Sequence, residues 1–360
     1  MDKLILATGV LFMFFVKPKS DVYWPQWMFL VITVLLFSAR RLKVPLSLKL
    51  LFTYVVCQCA IIAFYRPITE GLSMEGLFVV RYISLQALAQ IVFLYYLFSK
   101  WKEIGRPLSA FIVLGGFCHA MSLIIDQLFL HLESGVQMIG LMGNRSIGAT
   151  FTAFWIFFAV HVVEDKCWHW AVWIIGVIAI ACSNSSISFA ALGLGVAAWY
   201  LLTKRNWKML GIGAVGAGVA SMWVTPRMFL DNPRYHIWKI FYDFWTKNFN
   251  WWVGSGGGTF QAYGYTATQD AHYNYPAIFL WAHSDWLQIA LEYGIIGFVL
   301  AVWAYGDVLW RARKKPYLFG GMIALAVTMI GNYPLENAPC ALLVWCIFAE
   351  VLGGENERRI

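Results

Sequence analysis

The chain has 360 residues, of which 60% are apolar and only 13% charged. A soluble domain carries about 25% charged residues, so a water-soluble globule is excluded, and the apolar content excludes a disordered chain. What remains is an all-α, polytopic transmembrane helical bundle. The net charge of +8 does not point to nucleic acid, because the basic residues sit in short clusters between apolar runs, where they act as topology signals.

A bilayer core of ~30 Å takes about 20 apolar residues as helix. The first run, 4–16, is short, and Lys17-Pro18-Lys19 follows it instead of a small-residue cleavage site; it reads as a short first helix. Further spans are predicted over 22–39, 50–65, 82–99, 107–125 and 146–163. The uncharged stretch 167–203 is long enough for two helices, and Ser183-Asn184-Ser185-Ser186 in its middle is a tight turn. Spans at 209–226, 284–306, 316–333 and 338–352 complete a set of about 12, with 10 or 11 if the shortest do not cross. The predicted organisation is one integrated membrane domain: helices in 1–226, a long loop over 227–282, and helices in 283–360. The seven cysteines lie in or beside apolar runs with no CxxC pair. They read as small buried hydrophobes, with no disulfide frame, no metal site and no cofactor.

Orientation follows from the basic residues of alternate loops. With the N-terminus inside, the cytoplasmic side takes Lys3, Arg40/Arg41/Lys43/Lys49, Lys100/Lys102/Arg106, Lys166, Lys204/Arg205/Lys208, Arg311/Arg313/Lys314/Lys315 and Arg358/Arg359. The other side takes Lys17, Lys19, Arg66, Arg81, Arg145, Arg227, Arg234, Lys239 and Lys247, half as many. The bias puts both termini in the cytoplasm and the 227–282 loop outside.

That loop is where chemistry is expected, since long ordered loops are usually functional. Asp231-Asn232-Pro233-Arg234 is a helix start. Arg234, Trp238, Phe241, Trp245 and Phe249 then share one face, and His236, Lys239, Asp243 and Lys247 the opposite one. This predicts an amphipathic helix lying in the outer interface. Arg234 in its first turn is either a snorkelling anchor or an anion ligand.

Next comes Gly254-Ser255-Gly256-Gly257-Gly258-Thr259-Phe260. It lacks the Lys-Ser/Thr ending of a nucleotide P-loop; it is a flexible turn, or one whose Gly256 and Gly258 let a substrate approach the backbone. The loop ends at Ala282-His283-Ser284-Asp285-Trp286-Leu287-Gln288. Ser284 or Asp285 can cap the following helix. His283 then stands before a helix N-terminus, whose positive end disfavours imidazolium and keeps the ring neutral, as a general base requires. Glu292, nine residues on, is expected to face away from His283 and to make a structural hydrogen bond or a contact with another helix. Gly294 and Gly297 are expected to let neighbouring helices approach.

Three segments in this order carry a family resemblance: Arg234-x3-Trp238, Gly254-x-Gly256-x-Gly258-Thr259-Phe260, and Ala282 through Gly297. They resemble the O-antigen ligase and O-antigen polymerase superfamily of bacterial surface-glycan assembly. The match is strong over about 230–300 and weaker over the apolar frame, where Gly143-Asn144-Arg145-Ser146 precedes a helix. The family often carries Ser-Arg-Gly before the helix near 187; here Ser185-Ser186-Ile187-Ser188 has no Arg, so Arg145 or Arg81 is the candidate substitute.

The resemblance implies transfer of a glycan from undecaprenyl pyrophosphate to an acceptor hydroxyl, without metal, on the periplasmic face of the bacterial inner membrane. It implies His283 as base and Arg234 as the cation for the departing pyrophosphate, with Arg145, Arg81, Gly256 and Gly258 as substrate-binding candidates. The acceptor is lipid A–core sugar in a ligase, another lipid-linked repeat in a polymerase, or a protein in a related ligase. A lipid-linked glycan flippase is the competing class, but it calls for mid-membrane charges and duplicated halves, and the spans are nearly charge-free.

Overall fold

The computed structural model describes residues 45–64, 74–130, 141–142, 144–204, 233–260 and 282–353. The expected spans at 4–16, 22–39 and 209–226 lie outside the described residues, as does loop segment 261–281. Among the described residues the protein is all-helical, with no strand. Among the described residues five helices are long and apolar enough to cross a membrane, and further apolar helices are shorter.

The helices are α1 (Leu46–Phe64), α2 (Met74–Ile125), α3 (Arg145–Val162), α4 (Lys166–Ser183), α5 (Ser186–Lys204), α6 (Pro233–Asn248), α7 (Asp285–Ala312), α8 (Pro316–Gly331) and α9 (Ala338–Gly353). A π-helical turn, Asp126–Leu130, closes α2. The chain separates into two compact units: unit 1 is Met1–Leu42, Val92–Arg205 and Val308–Ile360, and unit 2 is Lys43–Ile91 and Asn206–Asp307.

In unit 1, α3 is the central helix. Residues Ile147 through Val160 are all buried, as a helix apolar on every side must be. Asn144 caps its start, its side chain accepting from Ser146 N and Ile147 N. The break between α4 and α5 falls where the sequence places it: Asn184 takes a left-handed conformation, φ 51°, which Asn tolerates better than most residues. α8 packs against α5 and α3. At the α5–α8 crossing Gly195 and Gly320 meet; a Cβ on either would stand 2.7 Å from the other's carbonyl oxygen. Between membrane helices, close packing of small residues replaces the hydrophobic drive that water supplies elsewhere.

Polar contacts gather at both ends of unit 1. Glu350 near the end of α9 accepts from Lys315 Nζ at the start of α8, from Trp101 Nε1 (2.8 Å), and pairs with His161 Nε2 (3.3 Å) at the end of α3. Tyr317 touches the rings of His169 and Trp199. At the opposite end, Asn332 after α8 bonds Ser146 and Thr150 of α3. The basic clusters at 100–102, 166, 204 and 311–315, assigned to one side of the membrane from the sequence, thus flank residues that meet at one end of this unit.

One expectation is corrected. Spans 82–99 and 107–125 are not two helices joined by a charged loop; α2 runs through as 52 residues with Pro107 inside it. Nothing in Ser99–Arg106 breaks a helix. Lys100 and Glu103 pair at i,i+3 (2.9 Å), and Trp101 and Ile104 are buried. Pro107 removes one backbone donor and crowds the carbonyl four residues before it, yet the helix continues through it.

Candidate active site

The site is built in unit 2 on α6, the glycine-rich segment and α7. α6 begins at Pro233, as the Asn-Pro signal predicts. Its apolar stripe is real and packs against protein at Phe241 and Trp245. Phe241, Phe244 and Trp245 pack with Phe260, Ala282 and Leu291 in a buried cluster. Phe241 and Phe260 ring centroids are 4.1 Å apart, and Trp245 stacks on Phe260 at 5.3 Å. Phe241 and Trp245 of the expected stripe are thus covered by protein, while Lys239, Tyr242, Asp243 and Lys247 are exposed.

Two indole N–H groups on this stripe fix the flanking segments. Trp238 Nε1 donates to the carbonyl of Ala282 at 2.8 Å. Trp245 Nε1 donates to Ser255 Oγ at 2.7 Å. The first bond ties the helix bearing Arg234 to the residue before His283. Arg234 lies one helical turn before Trp238, and i,i+4 positions share a face. The side chains of Arg234 and Arg81 lie outside the described residues; their backbones are in α6 and α2.

His283 has φ 52°. A non-glycine residue in the left-handed region is uncommon and costs of order 1–3 kcal/mol; such residues cluster at active sites. Ser284 Oγ then accepts from Leu287 N (3.3 Å) and caps α7, and Asp285 occupies the first turn, where a negative charge suits the dipole. The helix start expected from the sequence is thus present, with His283 just outside it and partly exposed.

The glycine-rich segment is held by Glu292. Its carboxylate Oε1 accepts from Gly258 N and from Phe260 N, both at 3.0 Å, and its backbone carbonyl accepts from Gly256 N at 2.6 Å. Gly256 and Gly258 have φ of 98° and 83°, which glycine alone adopts readily. Their amides are spent on Glu292, and a buried carboxylate there repels an anion. The two glycines therefore shape the loop and do not offer those amides to a pyrophosphate. Glu292 makes the structural bonds expected of it, but it points at the glycine-rich segment.

Gly294 breaks α7 with φ 66°, ψ −173°. Carbonyls of Trp251 and Trp252 accept from Ile295 N and Ile296 N at the break (3.0 and 3.1 Å). A Cβ on Gly294 would stand 2.4 Å from Trp252 O, and one on Gly254 2.5 Å from Gly294 N. The close approach expected of Gly294 is therefore to a loop backbone; Gly297 does meet a helix, at Tyr54 of α1.

No family model and no curated protein matches the chain.

Arg145 belongs to unit 1. It is exposed at the first position of α3, next to the Ser146–Asn332 pair. Arg81, Arg234, Gly256, Gly258 and His283 are residues of unit 2. Among the described residues no group of three or more His, Cys, Asp or Glu could hold a metal ion. The Glu292 clamp is what sequence reading missed. Its signal was present: a carboxylate inside an apolar helix needs partners, and a glycine-rich segment upstream offers unpaired amides.

Proposed function

We propose that the protein is a membrane glycosyltransferase of the O-antigen ligase type. It transfers a glycan from undecaprenyl pyrophosphate to a hydroxyl of lipid A–core, on the periplasmic face of the bacterial inner membrane. In this reading the whole chain has about 12 membrane helices with both termini cytoplasmic, and 227–282 is the periplasmic loop. The observation that carries it is the Trp238–Ala282 hydrogen bond. It joins the helix that carries Arg234 in its first turn to the strained segment containing His283.

His283 takes the proton of the acceptor hydroxyl as its oxygen attacks the anomeric carbon of the donor. The bond from that carbon to the pyrophosphate oxygen breaks, and the leaving undecaprenyl pyrophosphate carries the electron pair away. Arg234 neutralises it through its planar two-pronged guanidinium. The clamped glycine-rich segment brings Phe260 into the aromatic cluster of α6.

The experiment is an in vitro transfer assay with lipid-linked donor and purified acceptor. Arg234→Lys keeps the charge but loses the fork. The reading predicts strong impairment in Arg234→Lys with donor binding and membrane insertion retained; full activity would leave Arg234 as a plain charge or an anchor.

A further inference from the structure

One end of unit 1 carries a feature that glycan transfer does not use. Here α3 meets α4, α5 ends, and α7 passes into α8. Trp168, Trp170 and Trp310 are 56%, 71% and 65% exposed. Lys166, Lys204, Arg313 and Lys314 are exposed as well. The Arg313 guanidinium carbon lies 3.5 Å from the centroid of the Trp310 ring. The segments are held together beneath this surface: Tyr317 stacks on Trp199 at 5.2 Å and contacts His169 edge-on, and His169 Nε2 bonds Val163 O at 2.7 Å.

Among the described residues the nearby acids are largely engaged. Glu350 is bound by Lys315 and Trp101, and Asp165 accepts from Cys167 N at 2.7 Å. Glu103 pairs with Lys100; Glu103, Glu164 and Asp165 are exposed. The surface thus presents cations interleaved with indole rings at the ends of apolar helices. Indoles favour the headgroup level, half apolar and half wet. Basic clusters at that level attract anionic lipid. A guanidinium resting on an indole is held in place for a phosphate without losing its charge.

We propose that this end of unit 1 is a binding surface for phospholipids with anionic headgroups. The occupant is fixed by complementarity: the cations match the phosphate and the exposed indoles match the upper acyl region, which a soluble polyanion or an acidic protein lacks. The surface is independent of the transfer chemistry, which is assigned to residues of unit 2.

The test uses the full-length protein in neutral detergent. Binding of phosphatidylglycerol and of phosphatidylcholine is compared for the wild type, an Arg313→Gln/Lys314→Gln variant and a Lys166→Gln/Lys204→Gln variant, each checked for its melting temperature. Each charge removed costs about fivefold in affinity, so either folded double variant should bind phosphatidylglycerol about 25-fold more weakly, with phosphatidylcholine unaffected. Equal affinity for the two lipids, unchanged binding in both variants, or full competition by soluble glycerol phosphate would each overturn the proposal.

Discussion

The indole N–H of Trp238 donates to the carbonyl of Ala282, 44 residues away, at 2.8 Å. This bond couples the α6 stripe to the backbone that sets His283 at φ 52°. Trp238→Phe keeps a ring but removes the donor. One such bond is worth about 1 kcal/mol net, so the melting temperature should fall by only a few degrees. Under the proposed mechanism transfer should fall further than stability does, because Arg234 and His283 would lose their register. Equal loss of transfer and of folded protein would reduce the bond to a structural role.

The Glu292 clamp predicts an ordering of substitutions. Glu292→Gln retains an oxygen that can accept from Gly258 N and Phe260 N, so it should stay close to wild-type stability. Glu292→Leu leaves two buried donors unpaired, at about 1–3 kcal/mol each, and should melt clearly lower. Thermal unfolding in detergent checks the order; a stable Glu292→Leu would show that the carboxylate does not hold the loop.

Much of this arrangement was legible in the sequence where local chemistry decides it. The Ser183–Ser186 turn, the Asn-Pro start of α6 and the Ser284 cap each follow from one or two residues. What was not legible depends on partners distant in sequence. The α6 stripe reads the same whether lipid or protein covers it; Phe260 and Leu291 decide. The residues between Ser99 and Arg106 are indifferent to helix or loop, and the Trp101–Glu350 contact, 249 residues apart, favours helix. The helical angle of Glu292 from His283 says nothing of its partners, because the segment that turns to meet it lies more than 30 residues upstream.

Two glycines in one helix separate packing from propensity. Gly195 meets Gly320 backbone, while Gly193 has nothing within 4 Å of an added Cβ. Gly195→Ala should destabilise by about 1–3 kcal/mol through overpacking. Gly193→Ala should be neutral or stabilising, by up to about 1 kcal/mol of helix propensity. Melting curves of the two variants check this, and equal shifts would remove the α5–α8 contact from the account.

Glu336, in the connection between α8 and α9, is held by burial at a carboxyl pKa of about 7, up from 4.5. Below about 4.5 both folded and unfolded forms keep the proton. Between 4.5 and 7 the unfolded chain releases it first, so stability falls as pH rises through that window and levels off above it. The effect is at most about 3 kcal/mol, and less because the side chain is partly exposed. Comparing melting temperatures near pH 5 and pH 8, the drop at the higher pH should be smaller in Glu336→Gln than in the wild type. An identical pH profile for the two proteins would exclude Glu336 as its source.

The central claim is that His283 takes the acceptor proton, and His283→Asn tests it most directly. Asn tolerates the left-handed backbone that His283 occupies but has no basic nitrogen. The variant should therefore fold and insert as the wild type does and bind lipid-linked donor. Its rate of glycan transfer to purified acceptor should fall by about 10²–10⁴-fold, the usual contribution of a general base. Transfer by His283→Asn at near wild-type rate would contradict the assignment and leave His283 a residue of the loop's geometry only.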